Sequence, residues 1–341
     1  MGGQALKNTY TRRYSKEEYE RLCDTVQTRL KSLGIKSRVP KSFGAKDSFG
    51  DLDVLILAES LNGKGMRNII EANFAPNEIY HNSHVYSFDY KEFQIDFILV
   101  KTKYWDTSYH YYSYNDLGNL IGRISYQMGF RYGHYGLKLV YRHPDGGRKF
   151  EMILSQNTFD ILQFLGFDPD VYADGFHDLT DIFEYVIMSD FFNPKIFQYE
   201  ALNHQNKTRN KKRKNYAAFL DYVDKSDIYR VYEYQDKDHY VKWAETYFGL
   251  NIVEQIELWK KEVALDQLVS KKFNGDIIMT YLPDLKGKAL GNAITKFKDY
   301  VNSYLAHNNP GQNVKMLYRD YIVNTHIDHI MGIFKTANNL N

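Results

Sequence analysis

Lys41-Ser-Phe-Gly-Ala-Lys-Asp-Ser-Phe-Gly-Asp-Leu-Asp-Val-Leu-Ile-Leu57 passes from a polar, glycine-punctuated loop into an apolar strand, with Asp51 and Asp53 at the join. Strand side chains alternate between faces, so residues two apart project side by side and these carboxylates share a face. A second apolar run, Phe93-Gln-Ile-Asp-Phe-Ile-Leu-Val100, carries Asp96 at its centre. Burying an unpaired carboxylate costs several kcal/mol. Asp96 therefore needs a partner, a metal or a site, unless alternation puts it on a solvated face with Gln94 and Ile98. A lone Asp-x-Asp at a strand start is usually a turn residue plus a solvated one. Three carboxylates on strands, beside a loop able to hold phosphate, are what two Mg²⁺ ions and a nucleoside triphosphate require.

The loop sharpens that reading. Ser42, Gly44, Lys46, Ser48 and Gly50 lead into Asp51, and Asp96 follows Asp51 by 45 positions. This pattern resembles the nucleotidyltransferase superfamily that includes DNA polymerase β, CCA-adding enzymes and poly(A) polymerases. It is closest to a subgroup known mostly from phages and large DNA viruses, whose loop runs Gly-Ser-x-Gly-Lys-x-x-Ser-Gly-Asp-(Ile/Leu)-Asp. Lys41 stands where that pattern has glycine, and only glycine lacks the Cβ that limits close backbone approach. The resemblance implies a divalent-metal enzyme, using Mg²⁺ or Mn²⁺, that moves a nucleoside monophosphate from an NTP to a hydroxyl. Asp51, Asp53 and Asp96 would be the metal ligands and catalytic residues. Ser42, Gly44, Lys46, Ser48 and Gly50 would hold the nucleotide.

A second block supports the same likeness. Tyr111-Tyr-Ser-Tyr-Asn-Asp-Leu-Gly-Asn-Leu-Ile-Gly-Arg123 is followed by His134-Tyr-Gly-Leu137. It is similar to a Tyr-Ser…Leu-Gly-x-x-(Ile/Leu)-Gly-Arg helix and His-x-Gly-Leu element of the viral proteins. Leu117, Leu120, Ile121 and Ile124 recur at helical spacing, and Ser113 or Asn115 is expected to cap the helix. The resemblance implies sugar or base contacts here, with Ser113 and Arg123 as nucleotide-binding candidates. Arg123 fits a surface salt bridge equally well. Glycines 118, 122 and 129 weaken a helix by roughly 1 kcal/mol each, which points to close packing. The likeness covers about residues 35–215, strongest at 41–57 and 93–137.

Around these motifs the expected fold class is α+β: a polymerase β-like palm, a mixed sheet with helices, over 1–157, then a mostly helical substrate-binding domain over 158–341. Ser15-Lys-Glu-Glu18 has capping-box spacing before an apolar stripe that stops at Gly34. Gly65 to Phe74 reads as a helix. Val85 to Tyr90 and Glu92 to Lys101 read as a hairpin, and Leu137 to Arg142 with Lys149 to Leu154 as another, turned by Pro144-Asp-Gly-Gly147. Helices are expected over 178–189, 292–305 and 314–336. His326, Asp328 and His329 lack a further ligand and read as surface residues.

Lys+Arg 44 against Asp+Glu 42 leaves a formal charge of +2, so any nucleic-acid surface must be local. The strongest basic run is Lys207-Thr-Arg-Asn-Lys-Lys-Arg-Lys214. Lys207, Arg209, Lys211, Lys212, Arg213 and Lys214 are candidate phosphate contacts for a nucleic-acid acceptor, against the ordinary alternative of a solvated helix start. One cysteine, Cys23, suits a reducing cytoplasm and excludes an internal disulfide framework. No apolar run reaches membrane length, and Walker A, Cys-x-x-Cys pairs and Gly-x-Ser-x-Gly are absent. Two other classes stay open: nucleotidylation of a protein or small molecule, as in AMPylation, and a non-catalytic nucleic-acid or virion-binding module.

Overall fold

Ser15 opens the first helix in the computed structural model, which describes residues 5–144, 147–228 and 230–340. Its hydroxyl accepts from the Glu18 amide while the Glu18 carboxylate accepts from the Ser15 amide, the reciprocal cap its spacing predicts. Helix α1 (Lys16–Ser32) buries Leu22, Val26 and Leu30 along one stripe. The chain then turns at Gly34, whose φ of 73° is left-handed. Strand β1 (Tyr14–Ser15) pairs with β3 (Ser48–Phe49), and β2 (Ser37–Arg38) pairs with β4 (Asp51–Leu57).

A five-stranded mixed sheet follows. Beyond β4 come α2 (Met66–Phe74), β5 (Ile79–Asn82), β6 (Val85–Tyr90) and β7 (Phe93–Val100), in spatial order β2-β4-β7-β6-β5. The pair β4 and β7 is parallel; the others are antiparallel. One face presents Leu52, Val54, Ile56, Ile95 and Phe97, all fully buried, to a core shared with α1 and α2. Each such side chain contributes roughly 1.5–3 kcal/mol. The other face carries the acids first, then Leu55, Ile98 and Val100, which pack with Trp105.

Helices α3 (Trp105–Tyr112) and α4 (Leu117–Gln127) come next. A Cβ at Gly118 would come within 2.5 Å of the Tyr111 carbonyl, so α3 and α4 meet closely only because that position is glycine. Strands β8 (Phe130–Gly133), β9 (Gly136–Arg142) and β10 (Lys149–Ser155) form a separate three-stranded sheet, and two residues of its expected turn, Asp145 and Gly146, lie outside the described residues. Among the described residues this region continues with the α-helices α5 (Thr158–Phe164), α6 (Pro169–Asp174), α7 (Leu179–Ile187), α8 (His204–Lys211), α9 (Lys214–Lys225) and α10 (Lys237–Phe248).

The chain divides into two units, residues 1–140 with 151–250, and 141–150 with 251–341. That division differs from the boundary at 157 read from the sequence. The reason is aromatic and polar contact: Phe164 on α5 meets Phe130 at 5.6 Å, and Arg123 on α4 binds the Ile196 carbonyl. The second unit holds α11 (Ile252–Lys272), α12 (Gly275–Tyr281), α13 (Gly287–Asn308), α14 (Val314–Asn324) and α15 (Ile327–Asn338). Its core centres on Phe273, Phe297, Ile322 and Phe334. The single helix expected over 314–336 is two, because the backbone is extended at Thr325 and His326, which caps α15. The architecture is therefore mixed α and β with a helical C-terminal region, and no helix among the described residues is long and apolar enough to cross a membrane.

Candidate active site

The register of β4 and β7 places Asp53 directly opposite Asp96, and Asp51 opposite Gln94. Adjacent strands lie about 4.8 Å apart, so all three acids share one face and crowd together at its polar end. Each is partly buried. Burial and then the negative neighbours Asp51 and Asp96 hold the Asp53 carboxyl well above the usual range, against a weaker pull from Lys46. The Asp96 carboxyl is pushed up to about 6, by burial and by Asp51, although hydrogen bonds from Ser87 and Gln94 oppose the shift. This is a patch of concentrated negative charge held out of bulk water.

Gln94 was not legible as a site residue. Its Oε1 accepts from the Ala5 amide at 2.9 Å, which turns its NH₂ toward Asp96, and both Asp96 oxygens accept from it at 3.0 and 3.2 Å. As they stand, no three His, Cys, Asp or Glu side chains among the described residues are gathered into a metal cage. The donor chemistry nevertheless fits a hard divalent cation: carboxylate oxygens, partial water access and mutual repulsion. Asp96 would have to release Gln94 to join Asp51 and Asp53.

The acids lie in a cleft of about 1510 Å³ lined entirely by residues of the first unit. Ser42, Lys46, Ser48 and Gly50 of the loop line it. Lys46 Nζ donates to Asn115 Oδ1 at 3.1 Å and sits 4.4 Å from the Phe49 ring centre. Burial lowers its pKa, against the pull of Asp51 and Asp53. The Ser48 hydroxyl accepts from Arg13 Nε at 2.8 Å.

Three expected nucleotide contacts are engaged elsewhere. The Gly44 amide donates to the Phe176 carbonyl at 2.9 Å and the Ala45 amide to His177 at 2.6 Å, so neither amide points at a phosphate. Gly44 is absent from the cleft lining, and a Cβ there would meet only ordinary contacts, the nearest at 3.5 Å. Ser113 does not cap α4, which starts at Asp116 without a side-chain cap. It is buried, donates to the Tyr109 carbonyl at 2.8 Å and accepts from the Lys41 amide at 3.0 Å. Its work is to pin the start of the loop at Lys41. Arg123 is 4% exposed, and its Nε and Nη2 both donate to the Ile196 carbonyl, at 3.2 and 2.7 Å. The guanidinium is spent on backbone rather than on phosphate or a surface ion pair.

The basic run divides. Arg209, Lys212, Arg213 and Lys214, at the end of α8 and the start of α9, line the same cleft as the acids, while Lys207 and Lys211 do not. Arg213 is ion-paired with Asp116. Tyr111 and Tyr112 also line the cleft. No known protein-family model matches the chain, and no curated protein matches it.

Proposed function

We propose that the chain is a divalent-metal-dependent nucleotidyltransferase that moves an NMP from an NTP to a hydroxyl acceptor, the 3′ end of a nucleic acid. The observation that carries this is the juxtaposition in one cleft of Asp51, Asp53 and Asp96 with a basic wall from α8 and α9. The three acids would hold Mg²⁺ or Mn²⁺, which supplies a lower pKa for the attacking hydroxyl and positive charge for the departing pyrophosphate. Ser42, Lys46 and Ser48 line the path of the triphosphate, and Lys46 adds a cation beside its charge. Asp96 takes the proton of the acceptor hydroxyl as its oxygen bonds to the α-phosphorus and the bond to pyrophosphate breaks. Arg209, Lys212 and Lys214 neutralise acceptor phosphates, and Tyr111 and Tyr112 offer faces for base stacking.

Incubation with each α-labelled NTP, Mg²⁺ or Mn²⁺, and tRNA or oligonucleotides tests the proposal. Label appearing on nucleic acid with release of pyrophosphate is the expected result. Label on protein instead would assign the same chemistry to a protein acceptor. No transfer and no pyrophosphate from any combination would contradict it.

A further inference from the structure

The helical unit holds a pocket of its own, of about 760 Å³, within the size range of small-molecule sites. It opens between α11, α13 and α14, with Arg148 from the 141–150 segment at its edge. Val269, Phe273, Ile294 and Val314 supply an apolar interior. Four cations line it, Arg148, Lys298, Lys315 and Arg319, against one carboxylate, Asp266.

The charges are not equivalent. Asp266 receives Arg319 through both oxygens, at 2.6 and 3.0 Å, and Arg148 at 2.6 Å, so one carboxylate is shared by two guanidinium groups. Lys298 and Lys315 are exposed at the rim, and neither has an ion pair among the described residues. Two further lining residues carry buried polar atoms without partners: Tyr318, 9% exposed, through its hydroxyl, and Asn302 through Oδ1. Buried polar groups in folded proteins are nearly always satisfied. Neither atom has surface open to the pocket, so the groups that face a ligand are the unpaired ammonium groups of Lys298 and Lys315 above an apolar floor.

We infer that this pocket binds a small amphipathic anion, a ring-sized apolar body bearing a carboxylate or phosphate that pairs with Lys298 and Lys315. The body lies on Phe273 and Ile294. This site is separate from the acidic cleft and does not depend on the nucleotidyltransferase reading.

The test uses the full chain and three probes: indole-3-acetate, indole-3-acetamide and phenyl phosphate. Calorimetry and saturation-transfer NMR should show at least one of the two anions binding at one site per chain, and the neutral amide about tenfold more weakly or not at all. The tighter of the two anions identifies the head group. Replacing Lys298→Gln and Lys315→Gln together should weaken anion binding about tenfold, two exposed charges each acting modestly. Tyr318→Phe should leave anion binding within about twofold, because the hydroxyl has no surface in the pocket, while the thermal midpoint holds or rises as an unsatisfied hydroxyl is removed. Binding of the neutral amide as tight as that of the tighter anion, undiminished binding by the double variant, or no binding of either anion up to millimolar concentration would overturn the inference.

Discussion

Asp53 and Asp266 are both carboxylates taken partly out of water, and their surroundings treat them in opposite ways. Around Asp266, burial works against ionisation, but hydrogen bonds from Arg319 and Arg148 override it and hold the carboxyl below its usual range. Around Asp53, burial is compounded by Asp51 and Asp96, Lys46 pulls weakly the other way, and the carboxyl is driven up. A fold that needs a buried acid for its own stability provides it with cations. Burial and mutual repulsion together make the Asp53 arrangement a destabilising one, and strongly perturbed groups of this kind concentrate at functional sites. Asp266 serves the fold, and Asp53 is the acid that the proposed function uses.

The contrast makes its largest demand on chemistry. Asp53→Asn should lower nucleotidyl transfer by about 10³-fold or more, equivalent to roughly 4 kcal/mol of transition-state stabilisation. Metal-free thermal stability should hold or rise, since a repelling charge is gone. Loss of folding in circular dichroism would make Asp53 structural and erase the distinction from Asp266. The reciprocal change comes next in size. Asp266→Asn strands Arg319, 3% exposed and left with Glu262 at 3.5 Å, and should cost about 3 kcal/mol in denaturant unfolding.

How much of this was readable beforehand depends on the kind of contact involved. Alternation put Asp51 and Asp53 on one face, and the position of Asp96 inside an apolar run implied a site, because both are local properties of a strand. The capping box at Ser15 and Glu18 is likewise local, and it formed as written. Ser113, Gly44 and Arg123 misled because their partners lie far along the chain: the Lys41 amide, the Phe176 carbonyl and the Ile196 carbonyl. Motif spacing cannot reveal that a backbone amide is already bonded. Gln94 went unnoticed as a site residue for the same reason, since its orientation depends on Ala5, 89 positions away. The run 207–214 showed its charge but not which side chains face the cleft, and only the turn from α8 into α9 decides that.

A subtler effect of the contrast is the response to pH. Asp96 titrates near 6 when folded, above an unfolded carboxyl at about 3.9. Between these values the folded state binds more protons, so metal-free stability should fall as pH rises from about 4 to 6. Asp96→Asn should flatten that fall by about 1–3 kcal/mol. A stability curve of the mutant that parallels the parent through this window would show that Asp96 is not the strained acid described here.

The smallest effect expected concerns the basic wall. Replacing Arg209, Lys212 and Lys214 by Gln should lower the slope of log affinity for nucleic acid against log salt by about 2–3, leaving nucleotide binding nearly unchanged. Arg213 is left alone because Asp116 already neutralises it. An unchanged slope would make this wall an ordinary solvated surface.

The most direct measurement is anomalous diffraction from crystals grown with Mn²⁺ and a non-hydrolysable NTP. The expected result is manganese density between Asp51, Asp53 and Asp96, with metal–oxygen distances of about 2 Å and the Asp96 carboxylate turned away from Gln94. Density elsewhere, or Asp96 still bonded to Gln94 with no metal beside Asp53, would contradict the account.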